Sequence, residues 1–196
     1  MRPAAILFDL GGVLLPFDRE RRVRAIAQST GVTAEAVRAF MAGDIHHRLD
    51  LGQADEHDLA AAFSVLVGRA VSPDEACALI LSVFEPPNAE VWTLAENLRD
   101  RFVVGGFSDN PAFVRRVFPA GANLDPMFWS SELGLAKPSP EAFAAVQARL
   151  GLPPEAILFI DDTLANIEQA RRMGWDAIVF VSNAGLIAEL AVRGIQ

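Results

Sequence analysis

Three apolar runs in this chain each end on a polar, chemically competent residue, and that pattern restricts the fold more than any other feature. Ala4-Ala5-Ile6-Leu7-Phe8 ends at Asp9, Phe102 to Phe107 ends at Ser108, and Ala156 to Ile160 ends at Asp161-Asp162. A run with no polar alternation has no solvent face, so it reads as a strand buried on both faces of a parallel sheet. In an open parallel sheet, ligands bind beyond the carboxyl ends of the strands. Polar groups delivered there by separate strands are therefore a candidate site.

Between the strands the sequence is helical. Arg19 to Ser29 ends at Gly31, and Thr33 caps a segment carrying Val37, Phe40 and Met41. Asp55 caps Leu59 to Val67. Ser72-Pro73-Asp74-Glu75 opens a helix predicted to run to about Phe84, before Pro86-Pro87. A helix is expected from Asn88 to about Asp100, a short one after Asn110-Pro111, and a short strand at Met127-Phe128-Trp129. Ser139-Pro140-Glu141 opens another helix. Leu164, Ile167, Ala170 and Met173 form a helical stripe stopped by Gly174, and Asp176 to Val181 reads as a last strand before a terminal helix.

Strands separated by helices imply an α/β fold, a three-layer Rossmann-like parallel sheet with right-handed crossovers. The helical stretch after the first strand is too long for one crossover. It is read as an inserted helical bundle, a cap over 17–87, with 1–16 and 88–196 forming the core.

Composition narrows the function. The 196 residues are 52% hydrophobic and 21% charged, enough apolar material for a sizeable core and too little charge for a disordered chain. A net charge of −8 argues against nucleic acid or an anionic membrane as partner. It is compatible with a small anionic substrate, because a lysine and a metal ion reverse the sign locally. Cys77 sits in an apolar run and reads as a buried, inert thiol. Its lack of a partner cysteine, with an Asp already at position 9 where a signal peptide would be apolar, predicts a cytoplasmic location.

The strand-end residues make a chemical set. Asp9 and Asp162 can share one Mg²⁺, with the Gly11 carbonyl as a further oxygen ligand. The ion would relieve repulsion between a carboxylate nucleophile and a phosphate dianion. Ser108 can bond a phosphate oxygen, Lys137 can neutralise Asp9 and the transferred group, and amides beyond Gly11 can cradle the remaining oxygens. Taken singly, each residue is also explained by a local role. Asp9, Asp161 and Asp162 can be turn or cap residues, Ser108 can feed the Asn110-Pro111 turn, and Lys137 can be a solvated charge.

Phe8-Asp9-Leu10-Gly11-Gly12-Val13-Leu14, the Ser108 strand end, Lys137-Pro138 and the stretch 159–170 (FIDDTLANIEQA) resemble the four ordered motifs of the haloacid dehalogenase superfamily. The resemblance covers positions 6 to about 181 and is nearest the sugar-phosphatase branch, including glucose-1-phosphate phosphatases. It implies a helical cap and a Mg²⁺-dependent phosphatase in which Asp9 forms an aspartyl-phosphate. Asp162 would be the main carboxylate on the metal, with Asp161 bound directly or through water. Ser108 and Lys137 would hold the phosphate, and Gly11 and Gly12 would line its pocket; Asp109, which departs from the family, is also assigned to that pocket.

The family commonly carries a second Asp two residues after the nucleophile, as general acid and base. Here that position is Gly11. General acid–base help is worth ~10²–10⁴ in rate, so the absence favours substrates whose leaving group departs easily, such as anomeric sugar phosphates or acyl phosphates. His46, His47 and Asp18 are candidate replacements, and His47 is assigned to the substrate pocket. Asp109, where relatives often carry Asn, either points away from the phosphate or meets the metal. His57 is expected in solvent, and Trp92, Trp129 and Trp175 in packing. The competing readings are a metal-independent 2-haloacid dehalogenase, which the Asp161-Asp162 pair disfavours, and a phospho-ligand binder or very weakly active protein.

Overall fold

The computed structural model describes residues 2–82, 84, 86–120, 122 and 124–195. Strands β1 (Ala5–Phe8), β2 (Val103–Ser108), β3 (Met127–Trp129), β4 (Ile157–Asp161) and β5 (Asp176–Val179) form one sheet in the order β3-β2-β1-β4-β5. Every neighbouring pair is parallel. The chain builds outward from β1 to β3, then crosses back to place β4 and β5 on the other side. The strand order therefore reverses at β1, where such sheets bind ligands.

Register decides what emerges there. Phe8 pairs with Gly106 of β2 and with Ile160 of β4. Asp9, Phe107-Ser108 and Asp161 thus leave the sheet at one level, and the Asp9 amide donates to the Ile160 carbonyl at 2.8 Å.

Side chains alternate across the sheet, so each face has its own core. Ile6, Phe8, Val104 and Ile160 pack against α6 (Ala89–Leu98) and α10 (Asn183–Val192). Leu7, Phe107 and Phe159 pack against α8 (Pro140–Leu150) and α9 (Leu164–Arg172). This is the three-layer arrangement expected from the sequence.

Between β1 and α6 lie α1 (Arg19–Thr30), α2 (Ala34–Met41), α3 (Asp44–Asp50), α4 (Glu56–Val67) and α5 (Pro73–Leu81). They enclose a separate apolar cluster that includes Ile26, Val37, Leu59, Phe63 and Ile80. The expected start signals operate. Thr33 caps α2, Asp55 makes a capping box with Asp58, Ser72 caps α5, and Gly31 ends α1 at a positive φ of 75°. Cys77 is fully buried here, and burial pushes its thiol up to about 11, consistent with an inert group.

Some details differ from expectation. The α5 helix stops at Leu81, short of Phe84. The segment after Pro111 is a 3₁₀ turn, Ala112–Val117, and the last strand ends at Val179. Two short helices carry no start signal in the sequence: α3, and α7 (Ser130–Leu133) directly after β3.

The helical block leaves and rejoins the sheet layer at adjacent points. The Leu14 carbonyl accepts from the Asn88 amide at 2.9 Å and from Trp92 Nε1 at 3.0 Å. Asn88 Nδ2 also donates to the Val13 carbonyl at 3.3 Å and to Asn183 Oδ1 at 2.8 Å. Phe84 and Phe113 pack against both the block's core and the sheet's core.

Candidate active site

The strand ends open into a cavity of about 350 Å³, at the small end of ligand-binding cavities (~300–1,000 Å³). Its core side is lined by Asp9, Gly11, Gly12, Asp109, Asn110, Lys137 and Asp162, and its opposite side by residues of α1, α3 and α5.

Lys137 is the electrostatic centre. Its side chain is almost fully buried, and Nζ lies 3.0 Å from Asp9 Oδ1 and 2.7 Å from Asp161 Oδ2. It also donates to the Phe107 carbonyl at 3.1 Å. It lies over the Phe107 and Phe159 rings, with each centroid 5.3 Å from Nζ. Burial opposes the charge on this ammonium, but Asp9, Asp161 and Asp109 outweigh it and hold the group protonated above the ordinary lysine value.

Asp9 has one oxygen tied and one uncommitted. Oδ1 accepts from the Leu10 amide at 2.7 Å and faces Lys137, whereas Oδ2 has no partner among the described residues. Burial pushes the Asp9 carboxyl up to about 7, Lys137 pulls it down, and Asp161 pushes it up again. Asp9, Asp161 and Asp162 bring ligand oxygens within 4.8 Å of one another. Three carboxylates around one ammonium leave excess negative charge, and an all-oxygen donor set suits a hard divalent cation such as Mg²⁺. The residues therefore fit the ion that the sequence implies.

Asp161 and Asp162 do different work. Asp161 is fully buried, and both its oxygens are engaged: Oδ1 by the Thr163 amide at 2.7 Å, Oδ2 by Lys137, and both by Asn166 Nδ2 at 3.2 and 3.0 Å. These bonds make Asp161 the anchor that holds Lys137 in place, beside the other two carboxylates of the trio. Asp162 is exposed and open on the cavity wall.

Gly12 is explained by the same carboxylate. Its φ is +76°, which glycine adopts readily, and an added Cβ would overlap the Asp162 side chain. Its amide does not cradle phosphate as expected, because it already donates to the Leu15 carbonyl at 2.9 Å. The Leu10 and Val13 amides are also used within the loop, so Gly11 is the residue of this turn on the cavity wall whose amide has no partner among the described residues. A Cβ at Gly11 would meet nothing within 4 Å.

Other expectations are corrected. Ser108 ends β2 but is fully buried and lies beneath the cavity wall, its Oγ accepting from Asn110 Nδ2 at 2.9 Å. Asp109 and Asn110 form that stretch of wall instead. Asp109 Oδ1 accepts from the Lys137 amide at 3.1 Å, which turns that oxygen away from any phosphate. His47 is exposed and absent from the lining, because consecutive helical residues point about 100° apart and α3 presents His46 inward. Burial and Arg22 push His46 down to about 4, so it is neutral at pH 7. Asp18 does not line the cavity. It caps α1, accepting from the Glu20 and Arg21 amides at 2.8 and 3.0 Å. His57 is exposed and the three tryptophans are buried, as expected.

The cavity also contains Arg22 and Asp50, which sequence reasoning missed. Arg22 lies over the Phe17 ring, 5.6 Å from its centroid, and its Nε is buried without a partner among the described residues. The signal was spacing. Arg19 and Arg22 share a helical face with Ile26, and His46 and Asp50 share one with Leu49.

Fold and site together define a Rossmann-like protein with a carboxylate-rich, lysine-centred site at the reversal point of its sheet. Residues 3–174 match the haloacid dehalogenase-like hydrolase family, and the chain belongs to it. D-ribitol-5-phosphate phosphatase of Bacteroides thetaiotaomicron is 24% identical over 198 residues, covering 95% of this chain and 96% of that one. A HAD family enzyme from the same organism, solved with magnesium and inorganic phosphate, superposes with a TM-score of 0.79 at 24% identity, over 90% of this chain and 93% of that one. A predicted HAD-like hydrolase from Porphyromonas gingivalis gives 0.82 at 24% identity, over 97% and 98%. No described helix is long and apolar enough to cross a membrane.

Proposed function

We propose that this hydrolase is a Mg²⁺-dependent phosphatase of a small sugar, polyol or acyl phosphate, working through an aspartyl-phosphate on Asp9. The carrying observation is the pairing of a half-free Asp9 with a buried Lys137 inside a carboxylate trio. A relative named as a polyol-phosphate phosphatase and a neighbour solved with magnesium and phosphate support the reading. Asp9, Asp162 and the Gly11 carbonyl would hold the ion, whose charge would offset that of the phosphate.

The rest is done by the chain. Asp9 Oδ2 attacks phosphorus while Leu10 and Lys137 fix Oδ1. Lys137 Nζ neutralises the approaching oxygens, and Asp161 with Asn166 keeps that ammonium in place. The Gly11 amide and Asn110, which covers Ser108, meet the remaining phosphate oxygens. The helical block over 17–87 serves as a cap on the core of 1–16 and 88–196, excluding water from the cavity.

The test is phosphate release from a panel of sugar, polyol and acyl phosphates, with Mg²⁺ and with chelator, for wild type and Asp9→Asn. Release that needs the metal and is lost in the variant is expected. A folded wild type that releases phosphate from no panel member refutes the reading.

A further inference from the structure

We propose that Asp50, at the end of α3, gives the leaving oxygen its proton and later takes one from the attacking water, replacing the side chain that Gly11 lacks. The proposal rests on the phosphatase reading and deepens it.

The cavity's titratable groups exclude one another until Asp50 remains. Asp9, Lys137 and Asp162 belong to the phosphate and metal. Asp109 has an oxygen tied to the Lys137 amide. Arg19 and Arg22 are permanently charged and cannot donate usefully. His46 is neutral at pH 7, and its Nε2 is buried without a partner among the described residues. His47 and Asp18 are elsewhere.

Among the described residues, Asp50 is the one carboxyl on the wall formed by the helical block. A leaving group expelled from phosphorus departs away from the attacking Asp9, toward the rest of the cavity. The Asp50 side chain has no hydrogen bond or ion pair among the described residues, so its proton is available to a ligand. The open space above Gly11 removes any competitor from the core side. Asp50 also lines a second cavity of about 540 Å³, formed largely by α1 and α2, through which solvent can restore its proton.

The electrostatics agree. Arg19 and Arg22 face Asp50 from α1, His46 from its own helix, Asp109 from the loop after β2, and Asp9, Lys137 and Asp162 from across the cavity. Burial and then Asp109 push its carboxyl up to about 7, and Arg22 pulls it back. A general acid works best near the operating pH.

The steps balance. Asp9 Oδ2 forms a bond to phosphorus as the bond to the leaving oxygen breaks, with the electron pair staying on that oxygen. The Asp50 proton moves to it, leaving an alcohol, an Asp50 carboxylate and an aspartyl-phosphate. Water then attacks phosphorus, Asp50 takes its proton, and the bond to Asp9 breaks with the electrons returning to the carboxylate.

The experiment compares kcat/KM for glycerol phosphate, whose alkoxide needs a proton, with that for 4-nitrophenyl phosphate, whose leaving group does not. For a phospho-enzyme, kcat/KM reports only the steps up to leaving-group release. Asp50→Asn should lose ~10²–10⁴ on the alkyl ester and less than about tenfold on the aryl ester. The decline of the alkyl rate above about pH 7 should vanish with it. Equal losses on both esters, or none on the alkyl ester, overturn the proposal. Gly11→Asp gives a second reading that needs no change at Asp50. A gain below about tenfold on the alkyl ester shows a donor already present, and a gain near ~10² shows none and overturns it. A wild type inactive on both esters refutes the phosphatase reading itself, and the proposal falls with it.

Discussion

Replacing Lys137 with Met should destabilise the protein by ~3–5 kcal/mol at pH 8 without metal, the range for removing one partner of a buried ion pair. The change isolates charge from packing. The Lys137 ammonium lies over the Phe107 and Phe159 rings, and Met, a flexible apolar chain, refills that space. What disappears is the ammonium 3.0 Å from Asp9 and 2.7 Å from Asp161, leaving two buried carboxylates with no counterion. The penalty should depend on pH. The Asp9 carboxyl titrates near 7 in the folded wild type, above its ordinary 3.8, so its contribution to stability is full below about 3.8 and is lost as pH rises through 7. Without Lys137 the folded value climbs further, and each unit adds ~1.4 kcal/mol to the penalty at high pH over that at low pH. Urea unfolding in chelator at pH 5 and 8 measures both. At a slope of ~3 kcal/mol/M, the midpoint at pH 8 should fall by about 1–2 M. A loss below about 1 kcal/mol, or one equal at both pH values, refutes the account of Lys137 as counterion.

Two further outcomes are specific. Gly12→Ala should abolish metal-dependent activity, since its Cβ overlaps the Asp162 carboxylate, while the melting temperature in chelator falls by only a few degrees; unchanged Mg²⁺ affinity by titration would remove Asp162 from the metal site. Asp18→Ala should cost ~0.5–2 kcal/mol in a denaturant melt through loss of the α1 cap, with the pH profile of turnover unchanged; a lost limb in that profile would restore Asp18 as a proton carrier.

The sheet was legible because its signal is local. Ala5 to Phe8 and Ile157 to Ile160 are apolar throughout, and side chains at Thr33, Asp55, Ser72 and Ser139 mark helix starts that the structure reproduces. The α3 helix was not legible, because Gly43 precedes it without a side-chain cap and Leu49 alone among its residues is buried. The carboxylates of the candidate site were readable because strand ends fix them to within a residue. The opposite wall was not, because which of His46 and His47 faces inward depends on the rotation of α3 about its axis. That rotation is set by Leu49 docking into the apolar cluster of the helical block. Ser108 sat where expected along the chain, but a neighbouring amide two residues on reaches back over it.

The meeting of Val13-Leu14 with Asn88 and Trp92 has a consequence for descent as well as for stability. Both ends of the helical block are fastened to the same few atoms, so the sheet's connectivity is closed before the block is added. Loop-closure cost grows only slowly with the length of what is inserted. A lineage can therefore exchange, shorten or enlarge this graft while β1 and β2 stay in register. The wall of the cavity that the graft supplies then drifts with it, and the wall at the strand ends stays as it was.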